Sequence, residues 1–222
     1  AASDVYKRQA LIIGNNAYTQ LPRLNTAVGD ARALGRVLRE HYGFETTVLT
    51  NATRSQIVSE LTKVRRTLGP DDSFLLYYAG HGYVDAETKE GYWLPVDATE
   101  DDPVNWVSNA TITTSLRAIK ARHVMVVADS CYSGSLTRSV NFAPKQRKND
   151  YFARLRSKQA RVVLTSGGLE PVADGGGRGH SVFATYFLDA LAENEGVMEG
   201  SEIYLRIKRP VVENARQTPE YG

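Results

Sequence analysis

Two short apolar runs that break abruptly into glycine-bearing turns do most to limit what this chain can fold into. Residues 74–83 read FLLYYAGHGY and residues 123–135 read HVMVVADSCYSGS. Each begins with β-branched or aromatic residues and no polar alternation, the pattern of a strand buried on both faces of a parallel sheet. The loops that leave such strands gather along one edge of an open α/β sheet, where ligands bind. The first turn carries His81 and the second carries Cys131, the one cysteine of the chain. An imidazole and a thiol are thereby expected on the same rim.

The rest of the chain supplies the partners such strands need. Residues 10–14 (ALIIG), 44–50 and 161–165 read as further strands. Ala27, Ala31, Leu34 and Leu38 recur at helical spacing, so a helix is expected from Thr26 as N-cap to about Tyr42, stopped by Gly43. Ile57, Leu61, Val64 and Leu68 mark a second helix over 53–68. A short helix is expected over 111–120, and another after His180 whose apolar face is Val182, Phe183, Tyr186, Phe187, Ala190 and Leu191. The last, 201–212, is expected to be interrupted at Pro210. Residues 83–95 suggest a small hairpin or flap, 97–109 an acidic loop, 139–158 an exposed basic loop and 166–179 a glycine-rich rim. Strands alternating with helices at this spacing give a doubly wound, mostly parallel sheet in an α/β fold.

At 222 residues one sizeable core is expected, over 10–222. Residues 1–9 show no periodicity and are read as a processing or assembly remnant, and 217–222 as a turn-like end with no strand after it, as if the domain were cut short. A net charge of +2 with interspersed signs implies no nucleic-acid partner, and no apolar run approaches the ~20 residues of a membrane helix. A single cysteine excludes an internal disulfide and suits a compartment that keeps thiols reduced, such as the cytoplasm. Composition does not give an oligomeric state.

Thiolate is the nucleophile, a free cysteine is mostly protonated near neutral pH, and a nearby imidazole is the usual means of activating it. A lone cysteine is more often a small buried hydrophobe. Cys131, however, follows its strand and is flanked by Ser130, Tyr132, Ser133 and Gly134 rather than by aliphatics. His81, between Gly80 and Gly82, lacks the packed neighbours of a core histidine. His41, His123 and His180 have no ligand spacing, so zinc is not expected. The run DGGGRGH over 174–180 lacks the frame of a phosphate or dinucleotide loop, and His180 reads as a helix-start residue near the cleft.

His81 lies fifty positions before Cys131, a separation seen in caspases, although the caspase signature Q-A-C-[RQG]-G is not met. Tyr78-Ala79-Gly80-His81-Gly82 together with Asp129-Ser130-Cys131-Tyr132-Ser133-Gly134 resembles the wider caspase-like family of cysteine peptidases, in particular its metacaspase and bacterial caspase-homologue branch. Gly14-Asn15-Asn16-Ala17-Tyr18 and residues 25–30 add weaker support. The resemblance implies the caspase-haemoglobinase-like three-layer sandwich with a mostly parallel central sheet. It further implies a Cys131–His81 dyad without a third catalytic residue, and an oxyanion site formed by the amides of Gly82 and Cys131. A glycine beside the imidazole lets the main chain approach closely.

Asp30 and Asp129 look like the acidic pocket positions of metacaspases. Buried carboxylates favour a guanidinium or ammonium partner, which gives an expectation of cleavage after Arg or Lys in protein or peptide substrates. The plainer alternatives are Asp129 as a turn-former and Asp30 as a first-turn helix acid. Many metacaspases need calcium. Asp97 matches one such position, but Ser108 and Asn109 stand where paired acids are expected and Arg138 stands beyond the cysteine, so no metal cofactor is expected. Basic specificity would make Arg138, Lys145, Arg147 and Lys148 candidates for self-processing, against the reading of a solvated basic loop. The rival functions are a catalytically silent caspase-like interaction module and another cysteine hydrolase or transferase on the same fold.

Overall fold

The computed structural model describes residues 6–130, 160–167, 175, 178–215 and 217–222. Strands β1 (Arg8–Gly14), β2 (Glu45–Thr50), β3 (Ser73–Ala79), β7 (His123–Asp129), β8 (Ala160–Thr165) and β9 (Glu220–Tyr221) form one sheet in the order β2-β1-β3-β7-β8-β9. All pairs are parallel except β8 with β9. A second sheet, β4 (His81–Val84), β5 (Gly91–Leu94) and β6 (Val107–Ser108), is antiparallel and grows directly from the end of β3.

Five α-helices are present among the described residues: α1 (Ala27–Tyr42), α2 (Arg54–Thr67), α3 (Asn109–Ala118), α4 (Val182–Ala192) and α5 (Gly200–Asn214). One face of the large sheet packs Leu11, Ile13, Leu76 and Val126 against Ile57 and Leu61 of α2 and Ile112 and Leu116 of α3. The other packs Ile12, Tyr77, Val127 and Leu164 against α1, α4 and α5. The result is the expected three-layer α/β sandwich, its central strands buried on both faces. No helix among the described residues is long and apolar enough to cross a membrane.

Several boundaries differ from the sequence expectation. β1 starts at Arg8, because its first residues are exposed and pair through the backbone, which leaves no apolar signal. The helix α5 runs on through Pro210 instead of breaking there. Ile203 and Ile207 before the proline and Val211 after it are all buried, so packing outweighs the lost hydrogen bond. The C-terminal residues do form a strand, with Val163 and Gly222 exchanging backbone hydrogen bonds at 2.7 and 3.0 Å. The loop expected over 97–109 contains a 3₁₀ turn, Pro103–Asn105, and β6, and the N-cap of α3 is Ser108. Thr26 occupies the N-cap position of α1 without a side-chain capping bond.

The strand order fixes where a ligand can sit. The chain passes from β1 to β2 on one side and then returns to place β3 on the other side of β1. The crevice between the carboxyl ends of β1 and β3 is therefore the topological switch point, the usual binding position in open α/β sheets.

Candidate functional site

The exit of β1 is held by asparagines. At Gly14 an added Cβ would lie 2.3 Å from the Ala27 carbonyl oxygen, so glycine is what lets α1 begin against the strand end. Asn15 Oδ1 accepts from the Ala52 N–H at 2.8 Å. Asn51, at a left-handed φ of 54°, accepts from the N–H groups of Asn16 and Ala17, both at 2.9 Å. Short polar side chains tolerate that conformation. These bonds turn the loop so that Tyr18 and Pro22 meet the end of β3.

His81 opens β4 instead of lying in a turn, and Gly80 alone makes the bend. The His81 N–H donates to Tyr18 Oη at 2.9 Å, Tyr18 Oη donates to the Leu94 carbonyl at 2.8 Å, and Tyr78 Oη lies 2.8 Å from the His81 carbonyl. Both phenols converge behind Gly80, where a Cβ would come within 2.7 Å of each hydroxyl. The imidazole lies 4.5 Å from the Tyr18 ring, tilted by 55°, and its Nε2 is 2.7 Å from the Pro22 carbonyl oxygen. A carbonyl can only accept, so Nε2 carries the hydrogen and Nδ1 of the neutral ring is left to take a proton. Gly82 follows in β4, paired with Trp93, which stacks on Tyr78 at 4.4 Å.

Around the rim, the first turn of α1 brings Asp30 and the last residue of β7 brings Asp129, with relative exposures of 1% and 4%. Asp30 Oδ1 faces His180 Nδ1 at 2.5 Å and Oδ2 accepts from the Ser181 N–H at 3.3 Å. Ser181 Oγ donates to Asp129 Oδ2 at 2.5 Å. Burial pushes the Asp30 carboxyl above its ordinary value; hydrogen bonds from His180, Ser181 and Thr26 oppose that without cancelling it. Tyr77, on the same sheet face, is buried to 1% exposure with no hydrogen-bond partner for its hydroxyl among the described residues. Burial, and then the charges of Asp129 and Asp30, push its phenol well above the ordinary tyrosine range.

Of the residues singled out from sequence, His81, Gly82, Asp30 and Asp129 stand at the carboxyl edge of the large sheet. Cys131, Arg138, Lys145, Arg147 and Lys148, with the basic loop 139–158, lie outside the described residues, as does most of the glycine-rich rim. Of the positions at which the resemblance would bring calcium, Asp97, Ser108 and Asn109 are described and Arg138 lies outside the described residues. Asp97 Oδ1 accepts from the Arg54 N–H at the start of α2, Ser108 caps α3, and neither Ser108 nor Asn109 is a carboxylate. Among the described residues no three His, Cys, Asp or Glu side chains cluster as a metal site would require.

Sequence reasoning missed the Pro22 carbonyl, the Tyr18 hydroxyl and the double role of Ser181. A backbone acceptor leaves no residue-type signal, and a serine before an apolar helical run reads simply as an N-cap. Ser181 is an N-cap too, accepting from the Ala184 N–H at 2.9 Å.

Residues 7–222 match the caspase domain of the Peptidase_C14 family. Metacaspase-1A of Aspergillus fumigatus is 26% identical over 152 residues, 58% of this chain and 35% of that protein. Metacaspase-1 of Botryotinia fuckeliana is 24% identical over 152 residues, with the same coverage. The chain thus matches little more than a third of the length of these curated relatives. The crystal structure of protein GSU0716 from Geobacter sulfurreducens shares the fold, with a TM-score of 0.71 at 19% identity, covering 97% of this chain and 92% of that one.

Proposed function

Because this chain belongs to the caspase family of cysteine peptidases, we propose that it is an endopeptidase cutting after Arg or Lys, with Cys131 as nucleophile and His81 as its base. The observation that carries the reading is that one sheet edge holds both a singly oriented imidazole and two buried carboxylates.

With Nε2–H committed to Pro22, His81 Nδ1 takes the thiol proton and Cys131 Sγ attacks the scissile carbonyl carbon. The carbonyl π pair moves onto oxygen, where the N–H groups of Gly82 and Cys131 meet the developing charge. Collapse of the tetrahedral intermediate breaks the C–N bond, the imidazolium gives its proton to the leaving amine, and a thioester remains. Water, deprotonated by His81, then attacks the thioester; the acid product leaves and the thiol is restored. Among the described residues the orienting group for His81 is the backbone carbonyl of Pro22. Asp30 and Asp129 take the cationic side chain that precedes the scissile bond, because a buried carboxylate is best compensated by a charge-assisted hydrogen bond. The same preference makes Arg138, Lys145, Arg147 and Lys148 candidate self-cleavage positions.

Fluorogenic peptides ending in Arg, Lys or Asp, assayed with and without calcium against Cys131→Ala, test the proposal. Turnover of Arg or Lys peptides that disappears in the variant is the expected result. A preference for Asp overturns the assignment of Asp30 and Asp129. Silence of the folded chain toward all three peptides favours an interaction module.

A further inference from the structure

Two carboxylates on different elements, both nearly without solvent, do not stay ionised and aimed at one point unaided. Like charges in low dielectric repel, and one of them tends to take up a proton or turn away. Asp30 comes from α1 and Asp129 from β7, 99 positions apart in sequence. Among the described residues Ser181 reaches both, itself 3% exposed. Its N–H donates to Asp30 and its hydroxyl to Asp129, while the same oxygen accepts from Ala184 N–H. The hydroxyl hydrogen is spent on Asp129, and the serine carbonyl accepts from Thr185 Oγ1 at 2.8 Å. The positive end of the α4 backbone dipole faces the two acids, which lowers the cost of their charge. His180 closes the outer side of Asp30, with its side chain 28% exposed. The buried, unpartnered Tyr77 hydroxyl on the inner side adds no hydrogen bond to either acid.

We propose that Ser181 is the positioning residue that makes Asp30 and Asp129 act as one cation-binding pair, with His180 holding the other oxygen of Asp30. This rests on the reading of the two acids as the pocket for the residue before the scissile bond. Ser181 does not touch the scissile bond; it acts through the carboxylates it holds. Substrate binding is therefore what it controls, and the chemical step at Cys131 is not.

The test compares the native chain with Ser181→Gly, Ser181→Thr, His180→Gln and Asp30→Asn. Glycine is nearly as good an N-cap as serine, so Ser181→Gly removes the hydroxyl without unseating α4. Two readouts are taken: KM and kcat on Arg and Lys peptides, and the calorimetric affinity for a peptide aldehyde ending in argininal, which needs no turnover. Ser181→Gly is expected to raise KM at least tenfold and weaken the aldehyde to match, with kcat within about threefold of native. Ser181→Thr restores both values to within threefold. His180→Gln, which keeps a donor at Asp30, raises KM by a smaller factor than Ser181→Gly. A merely structural serine would lower the melting temperature and leave KM and the aldehyde affinity unchanged. If Asp30→Asn weakens the aldehyde and Ser181→Gly does not, the positioning role is wrong and the pocket stands. If neither variant weakens it, the pocket assignment fails and this inference fails with it.

Discussion

Among the described residues the His81 corner holds a partly buried ring through neutral groups, whereas the Asp30–Asp129 corner buries two carboxylates almost completely. At the first, a carbonyl and two phenols set direction without altering charge, so the fold loses little stability by having it. At the second, the acids lose their water and recover part of the cost from Ser181, His180 and Thr26. Stability and function are consequently separable at the imidazole and opposed at the acids.

The largest effect that tests this contrast is at the imidazole. His81→Ala removes the base and should lower kcat on Arg peptides by ~10³-fold, within the range for general-base loss. The melting temperature should stay near native, because the ring is only partly buried and its backbone N–H contact to Tyr18 survives the substitution. A variant that loses activity only by unfolding would erase the distinction between the corners.

Asp30→Asn comes next and should behave in the opposite way. Losing one charge-assisted contact should cut kcat/KM on Arg and Lys peptides by about 10–100-fold, mostly through KM. Burial holds the folded carboxyl above its ordinary value. Between the ordinary and the folded value the native chain keeps a proton that the unfolded chain has released. This group's contribution therefore falls as pH rises through that window, and above it stays at its lowest. Above that window the ionised acid costs stability, so Asp30→Asn should melt there at or above the native temperature, and the difference should vanish in acid. For the native enzyme, KM for basic peptides should rise as pH falls through the same window, which steady-state kinetics across pH would detect. A lower melting temperature of the variant above the window would mean that Ser181 and His180 more than offset the burial.

How far the sequence disclosed each corner follows from the same difference. The central strands were legible because Leu11-Ile12-Ile13, Leu75-Leu76-Tyr77 and Val126-Val127 are apolar on both faces, and a strand buried on both sides admits little else. His81, Asp30 and Asp129 could be named because chemistry-bearing residue types sit at strand and helix ends. Their partners could not. Pro22 acts through a carbonyl that any residue would supply, and Ser181 fulfils its helix-capping pattern so completely that its bond to Asp129 adds no further signal. β9 escaped for a related reason. Glu220 and Tyr221 are only half buried, and the pairing of the C-terminal stretch with β8 rests on backbone bonds.

A substitution behind the ring should separate the corners more finely. In Gly80→Ala the new methyl would press on the Tyr18 and Tyr78 hydroxyls, and such overpacking costs about 1–3 kcal/mol. The displacement falls first on His81; the Gly80 N–H also donates to the backbone carbonyl of Asp129, but at 3.4 Å, the long limit of a hydrogen bond, while the Asp129 side chain stays held by Ser181. The expected result is a kcat reduced about tenfold or more with KM for Arg peptides unchanged. An equal rise in KM would show that the two corners move together.

Tyr18→Phe is the mildest change and the sharpest test of how the imidazole is aimed. Phenylalanine keeps the ring that lies 4.5 Å from the imidazole, so the packing against His81 survives. What goes is the oxygen that accepts from the His81 N–H and donates to Leu94. Two hydrogen bonds are lost, each worth about 1 kcal/mol, and the one from the His81 N–H is the one that bears on the imidazole. The Nε2 bond to Pro22 remains, so the tautomer is kept and only the backbone seat of the residue loosens. The loss should appear as a kcat lower by about fivefold, with the pH dependence of kcat unshifted, because neither the charge nor the proton position of the ring has changed. A shifted pH profile would mean that Tyr18 tunes the basicity of His81 as well as its place, and the imidazole corner would then depend on electrostatics as the acid corner does.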